Sequence, residues 1–188
     1  MQHMNRREVL VLACAAAARI GGAAKVFGQS PDPKEAPPRD NDRFTFASGP
    51  RQGSVVASAD LVKDAPPVIA FPMDPETSVV RSGSRLNQVA LIRLDPSVLA
   101  PETLARSADG VLAYSAICTH GGCEVTEWQK EAGLLHCPCH ESQFDPRDSG
   151  RVKAGPAPRR LPALPLRIVE GELVAGGGFS GRVGGSEA

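Results

Sequence analysis

Two short runs constrain this chain most tightly: AICTHGGCEV at 116–125 and LHCPCHESQFD at 135–145. Together they hold four of its five cysteines and three of its four histidines. Cys118-x-His120 is followed, after sixteen intervening residues, by Cys137-x-x-His140, and a second cysteine pair, Cys123 and Cys139, lies close by. Such side chains act together only if two loops meet at one end of a rigid scaffold. Runs rich in Val, Ile and Leu, bounded by Gly, Pro, Asp or Asn, predict that scaffold to be β-sheet, with strands over 54–59, 67–71, 89–94 and 111–116. Glu170-Gly171, between LPLRIVE and ELVAG, predicts a hairpin near the C-terminus. The 19 Gly and 17 Pro favour a loop-rich β architecture over a helical one. The best helical stretch, between Asp95 and Gly110, has Pro101 at a first-turn position and should amount to one or two turns inserted between strands.

Three chemistries fit the Cys/His pattern. Two disulfides would staple the loops but leave His120 and His140 without a role. Zinc takes Cys and His in a tetrahedron, yet it would leave two thiols over. An iron–sulfur cluster of mixed ligation puts two thiolates on one iron and two imidazoles on the other, and it leaves the second cysteine pair free to cross-link the loops.

CTHGGC…CPCHESQFD resembles the two-loop signature of Rieske iron–sulfur proteins, in their disulfide-bearing branch. The GPAP run, Gly155, Pro156, Ala157 and Pro158, is similar to the proline loop of Rieske subunits of quinol–cytochrome c reductases. The resemblance covers about Val89 to Ala175. It implies an all-β, antiparallel Rieske-type sandwich with a two-loop cluster-binding subdomain and a short helix or loop insertion. It further implies one 2Fe-2S cluster held by Cys118, His120, Cys137 and His140, a Cys123–Cys139 disulfide, and Gly122, Ser142 and Phe144 around the cluster, with Ser142 donating its hydroxyl to a cluster sulfur.

The function so implied is one-electron transfer from a quinol-type donor to a c-type cytochrome, beside a cytochrome b-type subunit. Two departures matter. Gly121 stands where quinol-oxidising relatives carry Leu in an apolar docking tip. Phe144 stands where many carry a tyrosine that donates to a ligand sulfur, so the potential should lie below the top of the Rieske range. Phe144 and the paired arginines described next also resemble the small subunit of arsenite oxidase, whose partner is a molybdopterin large subunit. A free carrier is the third alternative. His136 reads as a partly exposed strand residue, and Tyr114, Trp128 and Arg159-Arg160 as packing and surface.

NRREVLVLACAAAARIGGAAKVFGQS at 5–30 has adjacent Arg6 and Arg7, an apolar run and then small residues, the order of a twin-arginine export signal. Arg19 interrupts the apolar run after ten residues, short of the roughly 20 a membrane span needs. The expectation is a cleaved signal, or a short anchor, over 1–30, with the domain delivered to the periplasm and membrane association through the N-terminus. Cys14 would leave with the signal, as would four of the 21 basic and one of the 21 acidic residues, for a net charge of −3. That balance gives no basis for a nucleic-acid partner. Residues 31–43, rich in Pro and charge, read as an extended linker. The Rieske domain should occupy 44–178, and the Gly-rich 179–188 should be a disordered tail.

Overall fold

The computed structural model describes residues 32–185; the expected export signal and the last three residues lie outside them. Its strands are antiparallel throughout. The first sheet takes β1 (Arg43–Phe46), β2 (Val68–Met73), β3 (Val89–Arg93) and β4 (Val111–Ser115) in sequential order. The second takes β5 (Glu127–Gln129), β6 (Leu134–Cys137), β7 (Ser142–Asp145) and β8 (Arg151–Ala154), also in order. β9 (Leu166–Val169) and β10 (Glu172–Ala175) form a separate hairpin. Its turn residues Glu170 and Gly171 both have positive φ, 51° and 84°, the backbone that two-residue hairpins favour. The only α-helix among the described residues, α1 (Pro101–Leu104), is a single turn with Pro101 at its start.

The continuous apolar runs of β3 and β4 follow from their central position. Side chains alternate faces along a strand. Val89 and Leu91 with Val111 and Ala113 join one core, shared with Phe44, Leu164, Leu166 and Leu173. Ile92 with Leu112 and Tyr114 joins the other, which holds Cys118, Leu135, Cys137, Phe144 and Leu161. Full burial of side chains such as Leu91, Ile92 and Phe144 contributes about 1.5–3 kcal/mol each. The second core is the floor on which the cluster loops stand. Tyr114 ties it to the neighbouring turn by donating its hydroxyl to the Pro146 carbonyl at 2.7 Å. Burial pushes the Tyr114 phenol well above its ordinary pKa, so this donor keeps its proton.

Three stretches differ from expectation. The predicted strand at 54–59 is reduced to a bridge between Val55 and Thr45 and a 3-10 turn at Ser58–Asp60, where Asp60 accepts from the Ala57 amide at 2.8 Å. Residues 32–43 do not extend as a linker. Gly83 donates to the Lys34 carbonyl at 2.9 Å and the Asn87 amide to Ala36 at 2.9 Å. Asp42, 1% exposed, accepts from Arg81 Nε at 2.7 Å and from its terminal nitrogen at 2.9 Å. The tail folds back as well. Ser180 exchanges two hydrogen bonds with Ala163, at 2.8 and 2.9 Å, Phe179 packs on the first core, and Gly184 and Gly185 are buried.

Candidate metal centre

Loop one leaves β4 and loop two joins β6 to β7. In the first, the Cys118 amide donates to the Cys123 carbonyl at 2.7 Å and the Gly122 amide to the Cys118 carbonyl at 3.1 Å. Gly122 adopts φ +73°, a conformation side chains disfavour, and so closes the loop tightly. In the second, Cys137 ends β6 opposite Ser142, which begins β7, and Pro138 to Glu141 form the turn. A disulfide between Cys123 and Cys139, with Cα atoms 6.5 Å apart, joins the two loops.

The remaining donors divide into two pairs. Cys118 and Cys137 are free thiols, 1% and 2% exposed. Burial pushes the Cys137 thiol up, the Cys118 sulfur beside it adds to the rise, and the Cys139 and His140 amides oppose it. A metal must overcome that shift, because only thiolate ligates. The His120 and His140 rings lie with centroids 4.7 Å apart, nearly perpendicular. His140 is exposed and His120 half-buried, so the imidazole side faces solvent and the thiol side faces the core.

Two atoms at this point are buried and without a hydrogen-bond partner: His120 Nδ1 and Ser142 Oγ. Unpaired buried polar atoms are costly and rare. Beside two buried thiols they are what a mixed sulfur/nitrogen cluster would satisfy, the nitrogen by binding iron and the hydroxyl by donating to sulfur. The residues present therefore fit a 2Fe-2S group.

The surroundings brace both loops. Thr119 Oγ1 donates to the Arg159 carbonyl at 2.6 Å, linking loop one to the segment after GPAP. Gly155, φ +81°, lies so close to loop two that a Cβ there would sit 2.5 Å from Ser142 Cα and 2.6 Å from the Glu141 carbonyl. Ala157 is buried in the second core, while Pro156 and Pro158 stay exposed. Phe144 is fully buried beneath the loops, and Gly121 stands open at the tip with nothing within 4 Å of where a Cβ would be.

Sequence reasoning missed several participants. The Arg85 guanidinium donates to the Gly122 carbonyl, and that of Arg159 to Gly184, next to Gly185, whose backbone abuts the His120 carbonyl. His136 is buried rather than partly exposed, because its two nitrogens meet Glu127 at 2.8 Å and Glu141 at 3.1 Å. The burial of a histidine beside two glutamates has no signal in local sequence except the alternation of β6. Trp128 reaches the Asp64 carbonyl at 3.2 Å.

Residues 71–165 match the Rieske 2Fe-2S domain. A Haloferax mediterranei protein, named provisionally as the Rieske subunit of a respiratory nitrate reductase, is 50% identical over 76 residues, covering 40% of this chain and 34% of that one. The cytochrome bc1 complex Rieske iron-sulfur subunit of Streptomyces lividans is 43% identical over 96 residues, covering 50% and 56%. The chain thus spans about a third to a little over half the length of these relatives. Among solved structures, the soluble domain of Rieske protein II from Sulfolobus acidocaldarius aligns with a TM-score of 0.38 at 24% identity, covering 52% of this chain and 68% of that one. The all-antiparallel architecture, the looped thiol and imidazole pairs and the match across residues 71–165 lead to one conclusion: the chain belongs to the Rieske 2Fe-2S domain family.

Proposed function

We propose that Cys118 and Cys137 hold one iron of the cluster and His120 and His140 the other, and that the protein passes single electrons from a quinol-type donor to a c-type cytochrome within a respiratory complex. The observation that carries the ligand assignment is the buried, unpartnered His120 Nδ1 beside the paired thiols. A bound cluster supplies a one-electron couple. Neutral imidazole in place of thiolate removes negative charge from around it and favours the reduced state, which suits mild reductants such as quinols. The exposed His140 edge offers a donor short access to the cluster. Ser142, whose hydroxyl is buried and without a partner, would donate to a sulfur of the bound cluster and so favour its reduced state.

The cytochrome bc1 relatives and the GPAP loop support a cytochrome b partner. A second reading, the small electron-transfer subunit of a molybdenum oxidoreductase, draws on Phe144, which carries no hydroxyl, on the bare tip at Gly121, and on the nitrate reductase relative. Among the described residues no helix is long and apolar enough to cross a membrane. Twin-arginine export of the folded domain to the periplasm, with the Cys123–Cys139 bond closing in that oxidising compartment, completes the proposal.

The test is isolation of the full-length protein from its own membranes in mild detergent. Haem b absorbance and quinol-driven reduction of the co-purified cluster are expected. Stoichiometric molybdenum in place of haem would establish the second reading, and a lone chain released by osmotic shock would contradict both.

A further inference from the structure

We propose that His136 is a positioning residue for the cluster: gripped between Glu127 and Glu141, it holds the left-handed turn that aims His140 and Ser142, and so sets the midpoint potential. The inference rests on the reading that His140 and Ser142 face the cluster.

Glu141 sits between those two residues with φ +60°, a region that side chains other than Asn, Asp and Gly rarely occupy. Strain of that kind persists only where surrounding contacts over-determine it. Here the Glu141 side chain reaches back to His136 Nε2 at 3.1 Å, while Nδ1 of the same ring meets Glu127 at 2.8 Å. Glu127 is the cross-strand partner of His136 in the β5–β6 ladder, so the ring is fixed to the sheet rather than to the loop. His136 is 5% exposed, and a buried imidazole with both nitrogens paired has little freedom to turn. On the opposite side the bare backbone of Gly155 presses on Glu141 and Ser142. The turn is therefore held from both sides.

The test uses the full-length, cluster-loaded protein with Glu141→Ala and Glu141→Gly. Both variants remove the same carboxylate, so any difference between them comes from the backbone: alanine keeps the left-handed penalty and glycine removes it. The Glu141 side chain is largely exposed, which spares the core. Redox titration followed by EPR is expected to find the alanine variant about tenfold harder to reduce than the glycine one, about 59 mV for one electron, as Ser142 moves off its sulfur.

His136→Gln should shift the potential in the native background and leave it within about twofold in the Glu141→Gly background, where no strain remains to be held. Equal potentials for the alanine and glycine variants, a higher one for alanine, or the same His136→Gln shift in both backgrounds would overturn the proposal. Native protein that binds no 2Fe-2S cluster would instead refute the ligand assignment on which it rests.

Discussion

The double replacement His120→Cys/His140→Cys is expected to drop the midpoint potential by at least about 250 mV, from within the Rieske range of about −150 to +300 mV towards the roughly −400 mV of all-cysteine plant-type centres. At about 59 mV per tenfold, that is roughly four powers of ten in the reduction equilibrium. The cause is charge: two neutral rings give way to two thiolates, and the reduced cluster then carries its extra electron among four negative sulfurs. Geometry allows the exchange, because the two rings are neighbours on the solvent side and their removal leaves the buried Cys118–Cys137 side and the disulfide in place. Redox titration of the variant checks the drop, and an unchanged potential would mean that these histidines do not touch iron.

Arg81→Met is expected to cost about 3–5 kcal/mol of stability, the usual effect of removing one partner from a buried ion pair. Arg81 is 3% and Asp42 1% exposed, and two hydrogen bonds join them. Asp42 also accepts from the Arg39 amide at 2.7 Å, and Arg81 reaches Asp74 at 3.4 Å. With the guanidinium gone, a carboxylate stays buried with only an amide for company. For a domain of this size the melting temperature should fall by roughly 10 °C. Adding Asp42→Leu should recover much of the loss, since the stranded charge is then absent. Thermal unfolding of the single and double variants decides the matter; a single variant within about 1 kcal/mol of the native protein would show the pair to be structurally idle.

The same pair marks where sequence stops being readable. β3, β4 and the Glu170-Gly171 hairpin were legible because alternation and turn chemistry are local properties. The Cys/His loops were legible because ligand chemistry restricts both residue type and spacing. Asp42 lies in a stretch of prolines and charges that looks solvated, and its partner is 39 residues away, so nothing local announces that it is buried. The glycine-rich end misleads in the same way. Its lack of side chains suggests disorder, yet small residues are what allow Gly185 to lie against the His120 carbonyl. His136 was visible as a residue of β6, but its burial depends on Glu127 and Glu141 arriving from either side. Among the described residues seven non-glycine positions have positive φ, and Glu141 is the one next to His140, a position that composition could not single out.

In the proposed centre one iron is held by sulfur and its neighbour by nitrogen within a single pocket. Pulsed EPR of the reduced, full-length protein tests it most directly. Strong couplings to two imidazole nitrogens, in a sample with two irons and two sulfides per chain, are the predicted result. A paramagnetic cluster without nitrogen coupling, or pure folded protein carrying zinc and no iron, would contradict it.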